Sequence, residues 1–259
     1  ANRVEALAER LNETLTGAPN GWLLEYYPSS GQYYGGFNVF LSFSEGNKVK
    51  VGSEVAGKGK TATSTYSIYQ SAGCVLTLDT YNEVMHYFAD PETTGGQGAG
   101  FGFEGDFEFN VLDLQDEKIT LKGRKTGSTM TMTPMPVSMS WDDYIVALKE
   151  EESAISKHTR IRYQTADNKY DGRINGRTLE IFSEVDGEQV TTSYPFIFNL
   201  MGVTFYKPLE LGDERIDGLV YNPDMADGGA FIPVNDGAEG YFVPTYPTIT
   251  DYLMDKNWF

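Results

Sequence analysis

The segment LTLDTYNEVMHYFADP, residues 76–91, gathers Asp79, Glu83, His86 and Asp90, and it holds one of only two histidines in the chain. On one helix these four stand at i, i+4, i+7 and i+11 and share a face. Carboxylates around an imidazole can hold a metal ion or perform acid–base chemistry. They can equally form the polar side of a short helix. Thr80 and Glu83 match Thr-x-x-Glu, a capping box in which the carboxylate reaches back to the cap N–H. Such a cap leaves Asp79 at the end of the strand CVLTL, and Pro91 disfavours helix at Asp90. The spacing therefore predicts a two-turn helix with Tyr81, Met85 and Phe88 on roughly one side. His86 then reads as a hydrogen-bonded structural histidine, and a ligand is expected beside this stretch.

Other patterns carry less chemistry. GSEVAGKG (52–59) comes close to a phosphate-binding loop, but Gly59 stands where a Ser or Thr should hold magnesium and strand-like sequence follows. GFGFEG (100–105) matches a dinucleotide fingerprint in form only, because it leads into the strand DFEFNVL. The glycine run from Gly95 to Gly105 reads as a loop able to cover a barrel mouth. DNKYDG has EF-like spacing at Asp167 and Asp171, yet Lys169 occupies a ligand position, so a surface turn is expected. Glu104, Asp106 and Glu108 alternate with Phe103, Phe107 and Phe109 and read as the solvated face of an amphipathic strand. There is no HExxH, CxxC or GxSxG, and the single cysteine, Cys74, reads as a small buried residue. No catalytic residue, metal or cofactor is assigned.

The elements that must position any site are mostly strands. NRVEALAERLNETLTG places Val4, Leu7, Ala8, Leu11 and Leu15 on one helical stripe. From Trp22 to Thr133 the period becomes two, giving eight strand candidates separated by turn sequences. Eight meandering antiparallel strands suit a small closed barrel whose interior holds side chains or one small ligand. SWDDYIVALKEEESAIS is a clear helix, with Ser140 and Asp143 as capping partners and Trp141, Tyr144, Ile145, Leu148 and Ile155 facing one way. Beyond it the sequence is again strand-like. The expected fold is mainly β: an N-terminal helix, an eight-stranded antiparallel lipocalin-like barrel, a linking helix and a second antiparallel β domain. The expected domains are 1–138 and 139–259.

The chain of 259 residues carries a net charge of −17. That charge repels phosphate backbones and anionic lipid surfaces, so neither nucleic acid nor electrostatic membrane docking is expected. A start at Ala1 without a signal segment is what a processed or trimmed chain would show. The aromatics point elsewhere. GWLLEYYPSSGQYYGGF sets Trp22, Tyr26, Tyr27, Tyr33, Tyr34 and Phe37 around a glycine-rich hairpin, and flat rings at loop tips stack on sugars or fill a partner's pocket. Trp22, Tyr26, Tyr33 and Tyr34, with His86, are the candidate ligand-binding residues.

GWLLEYYP with YYGGFNVFLSF, LTLDTYNEVMHYFADP, GDFEFNVL with ITLKGRKTG, and GVTFYKPLEL together resemble a family of lipoproteins from Gram-negative gut bacteria, domain-of-unknown-function family 4302. The resemblance covers nearly the whole chain. It implies export, a lipid anchor on an N-terminal cysteine that this chain does not contain, and a place at the outer membrane among nutrient-uptake components. It supplies no catalytic residues. The expected function is a non-catalytic surface lipoprotein that binds a glycan or peptide for uptake. The alternatives are an accessory subunit docking onto an outer-membrane transporter or partner enzyme, and a hydrolase using Asp79, Glu83 and His86.

Overall fold

The computed structural model describes residues 2–78, 82–88 and 104–246. The chain forms two compact units, Ala1–Lys149 and Glu150–Phe259. Each contains a closed eight-stranded antiparallel barrel.

In the first unit, α1 (Arg3–Thr16) starts where the Asn2 N–H donates to the Glu5 carboxylate at 3.2 Å. Strands β1 (Trp22–Tyr26), β2 (Phe37–Ser44), β3 (Lys48–Ser53), β4 (Ala62–Gln70) and β5 (Cys74–Leu78) precede the short helix α2 (Glu83–His86). Strands β6 (Glu108–Gln115), β7 (Lys118–Gly123) and β8 (Thr129–Pro134) follow, and β8 pairs back onto β1 with Leu24 opposite Met132. The period-two pattern predicts this meander because alternate side chains must share the interior. Trp22 pairs with Leu41, Leu24 with Val39 and Tyr26 with Phe37, and all six are buried.

That interior is filled by side chains. The Trp22 indole N–H donates to the Leu15 carbonyl at 3.0 Å, which ties α1 to the barrel. Phe88, just after α2, packs 4.7 Å from Tyr26 and 5.3 Å from Phe37. Gly105 makes room for this cluster, since a Cβ there would stand 2.4 Å from the Tyr26 hydroxyl.

Two local expectations are corrected. α2 is a single turn capped by Asn82, whose side-chain oxygen accepts from the N–H groups of Val84 (3.1 Å) and Met85 (3.3 Å). Glu83 is therefore the first helical residue and not the third, so it cannot close a box with Thr80. Thr80, Asp79, Tyr81 and Asp90 lie outside the described residues. Likewise, Glu104, Asp106 and Glu108 do not share a solvated face. β6 begins only at Glu108, Glu104 has a positive φ of 54°, and Asp106 is buried. The Asp106 carboxylate accepts from the Lys125 N–H (2.7 Å), the Thr126 N–H (3.2 Å) and the Thr126 hydroxyl, while its carbonyl accepts from the Tyr26 hydroxyl at 2.8 Å. Most of the Gly95–Gly105 loop lies outside the described residues, Glu104 and Gly105 excepted.

Helix α3 (Trp141–Ser156) begins in the first unit and ends in the second. The Asp143 N–H donates to the Ser140 hydroxyl at 3.1 Å, as the capping pattern predicts. The second barrel comprises β9 (Arg160–Gln164), β10 (Lys169–Asn175), β11 (Thr178–Val185), β12 (Glu188–Phe198), β13 (Gly202–Leu211), β14 (Glu214–Asn222), β15 (Ala230–Pro233) and β16 (Phe242–Pro244). β16 closes it on β9 through Phe242 and Tyr163. Between β11 and β12, Asp186 and Gly187 both take positive φ, the geometry a two-residue hairpin turn requires. The core includes Ile155, Tyr163, Leu179, Phe196, Phe205 and Phe231. The void among these residues is only ≈ 10 Å³ and wholly apolar in its lining. A cavity needs roughly 10–15 Å³ to seat one water, so this void has no room for a ligand.

Tyr163 links closure to pH. Its hydroxyl accepts from the Gly240 N–H at 2.9 Å, and burial first, then the neighbouring Glu214 carboxylate, push the phenol up to about 12. The folded state thus keeps a proton that the unfolded chain releases near its ordinary value of about 10. Stability is full below that value and is lost as pH rises towards 12. Chemical denaturation at stepped alkaline pH is expected to show this loss, with a smaller slope in Tyr163→Phe. Equal slopes would refute the assignment.

Candidate ligand groove of the first unit

Sheet and helix meet at a glycine. Phe40 and Gly52 pair across β2 and β3 on the outer barrel face, and Ser42 pairs with Lys50 beside them. With no side chain at Gly52, the Trp141 indole settles onto the sheet. A Cβ there would come within 3.1 Å of Trp141 Cε3, and one at Gly21 within 3.1 Å of Cζ2. The indole stacks on Phe40 at 5.6 Å and 29° and donates its N–H to the Asn20 carbonyl at 2.9 Å. Asn20 in turn donates to the carbonyls of Pro136 (2.7 Å) and Met139 (2.8 Å), which fixes the entry to α3.

Around this ring lies an open, mainly polar groove of ≈ 350 Å³, lined by Asn20, Lys50, Thr61, Ser140, Trp141 and Asp142. Its size falls in the lower range of small-molecule sites, roughly 300–1,000 Å³. Lys50 Nζ stands 4.8 Å from the Trp141 ring centroid. The Asp142 carboxylate accepts from the Gly59 N–H at 2.8 Å, which pins the β3–β4 loop as one wall. Gly57 and Gly59 both have positive φ, and β4 follows, so the near phosphate loop is a strand-to-strand connection. The groove thus offers a partly exposed indole, one cation, one carboxylate and several amide and hydroxyl groups. That set suits a polar ligand with an apolar face.

Of the aromatics proposed from the hairpin, Trp22 and Tyr26 are interior, 1 % and 0 % exposed, with their polar atoms already bonded. They cannot stack on a ligand, which corrects their placement. Tyr34 is half-buried, and Tyr33 is 74 % exposed on a loop tied down by Ser29 and Gln32. His86 is exposed at the end of α2, and its ring makes no hydrogen bond among the described residues, so the expected structural bond is absent there. Glu83 is exposed beside it. Of the proposed ligand residues, Tyr33, Tyr34 and His86 therefore keep exposed surface, and Trp22 and Tyr26 do not. Asp171, proposed for the EF-like turn, lies in β10 in a bidentate pair with Arg162, at 2.6 and 3.2 Å.

The groove residues were obscured in the sequence. Trp141 reads there as a helix core position. The available signal was the lysine-rich stretch KVKVGSEVAGKGK in an acidic chain. His158 follows α3 in the second unit. Its Nε2 lies 2.8 Å from the Tyr221 hydroxyl, and burial, then Lys157, hold the imidazole below its ordinary range. Burial, then Glu151, raise the Tyr221 phenol. His158 meets Phe231 edge-on at 5.9 Å, so this group packs as part of the barrel wall.

The architecture defines the class: a two-barrel β protein with a ligand-sized surface groove on its first barrel. A family model described as Domain of unknown function (DUF4302) matches residues 1–223, and the chain belongs to that family. A comparison with curated proteins returns no match. No helix among the described residues is long and apolar enough to cross a membrane.

Proposed function

We propose that this protein is a non-catalytic binder that captures a nutrient, a glycan or a peptide, at the cell surface. In this reading it is exported, held at the outer membrane of a Gram-negative bacterium by a lipid anchor, and serves an uptake system. The observation that carries the reading is the groove at Trp141, where an aromatic platform and convergent polar groups occupy one ligand-sized depression. The resemblance of the sequence to surface lipoproteins supplies the setting.

Glycan and peptide panels followed by fluorescence titration test it. The chain has three tryptophans, Trp22, Trp141 and Trp258. In a Trp258→Phe background Trp22 is buried, so a ligand in the groove should shift the emission of Trp141. Trp141→Ala is expected to weaken binding about thirty-fold, the roughly 2 kcal/mol of a central aromatic contact. Panels in which nothing binds would refute the reading.

A second reading, an accessory subunit docking onto a transporter or partner enzyme, is favoured by Tyr33. Its ring is 74 % exposed on a loop held by hydrogen bonds, the display expected of an interface anchor. Solubilised native membranes separate the two: a subunit co-purifies with its partner in stoichiometric amount, and a free binder does not.

A further inference from the structure

We infer that the groove selects an acidic saccharide, one whose sugar rings carry carboxylates. The inference rests on the reading of this groove as a binding site and names its ligand class.

The charge distribution carries it. The chain has a net charge of −17, yet residues 48–60 hold four lysines and a single glutamate, a local net of +3. That glutamate, Glu54, is buried, and its carboxylate is occupied by the N–H (2.9 Å) and the side-chain amide (2.5 Å) of Asn38. Lys48 and Lys50 alternate on one face of β3, and Lys58 and Lys60 flank Gly59 in the groove wall. None of the four forms an ion pair among the described residues, although the chain has 37 acidic residues. Unpaired cations beside a concave site raise the local concentration of anions.

The groove itself adds direction. Lys50 is the cation that reaches it, poised over the Trp141 ring. The indole N–H is already used on Asn20, Phe40 stacks on the ring and Lys50 stands over it, so the ring edge beside Lys50 is what a ligand meets. A sugar seated there sets its C–H edge against the indole rim and a ring carboxylate on Lys50. Asp142 lines the groove, and its carboxylate, held on one oxygen by the Gly59 N–H, has a second oxygen that can accept a sugar hydroxyl. A neutral sugar could use the indole rim and Asp142 but would bring no counter-charge to Lys50.

Isothermal titration with an oligogalacturonate, its fully methyl-esterified counterpart and a neutral cello-oligosaccharide tests this. The acid is expected to bind at least about ten-fold more tightly than the ester, the scale of one charge-assisted hydrogen bond, and to weaken with added salt. Lys50→Gln, an exposed substitution that leaves the fold intact by circular dichroism, should abolish the preference while the ester still binds. If acid and ester bind equally, or if Lys50→Gln leaves their ratio unchanged, the inference is overturned and the groove reading stands. If none of the three binds and Trp141 emission does not shift with any panel ligand, the groove reading falls and the inference with it.

Discussion

Asp106→Ala is expected to destabilise the first unit by about 3 kcal/mol or more, because it strips a buried charged acceptor from three donors at once. Removing the carboxylate leaves the buried Thr126 N–H and hydroxyl without their acceptor, at about 1–3 kcal/mol for a buried donor, and also releases the part-buried Lys125 N–H. Helices and strands cannot repair the loss, since these groups lie in the turn between β7 and β8. The neighbouring chain is fitted around the carboxylate: a Cβ at Gly123 would stand 2.1 Å from Asp106 Oδ2. Asp106→Asn keeps one carbonyl acceptor and should lose roughly half as much. In the Trp258→Phe background Trp22 and Trp141 both report on the first unit, so urea unfolding followed by fluorescence reads this transition. A loss below about 1 kcal/mol would show that Asp106 is not the anchor of this turn.

Phe196→Ala is expected to cost the second unit about 3–5 kcal/mol. Phe196 is 1 % exposed and packs against Phe198 at 5.2 Å and Phe205 at 6.3 Å. The void beside it is only ≈ 10 Å³, so the native core has no slack to redistribute into the hole. Backbone pairing on both sides of β12 keeps the barrel from collapsing inward, which places the cost towards the upper end. Hydrogen exchange read by mass spectrometry checks it: amides of β12 and β13 should lose protection by about a hundred-fold or more, the equivalent of 3 kcal/mol. Unchanged protection would mean that the core relaxes around the deletion.

Much of the architecture was legible because strand alternation and helix capping are local. CVLTL, KITLKG and STMTMT each state which face is buried within a few residues, and Ser140 with Asp143 marks the start of α3. The misreadings arose where local grammar had two solutions. Thr80 and Asn82 are both good caps, and the choice of Asn82 follows from its side-chain amide, which also donates to the Ala62 carbonyl (3.1 Å) and the Ser64 hydroxyl (3.0 Å) of β4. Alternation in FEGDFEF implied a solvated Asp106, but a positive φ at Glu104 breaks the strand before the pattern can apply.

The sequence by itself determined the order of helices and strands, the eight-strand count of the first half and the acidic character of the chain, because propensity, period and charge depend on neighbours in sequence. Only the tertiary structure decided which aromatics face solvent. Trp22 and Tyr26 turned inward because barrel closure gives each strand an inside, while Trp141 stayed partly open because Gly52 seats it at the edge of a groove. It also brought Lys50, Thr61 and Asp142 around that ring from β3, the β3–β4 loop and α3. Residues 92 positions apart, Lys50 and Asp142, share no local rule, and only long-range packing sets them side by side.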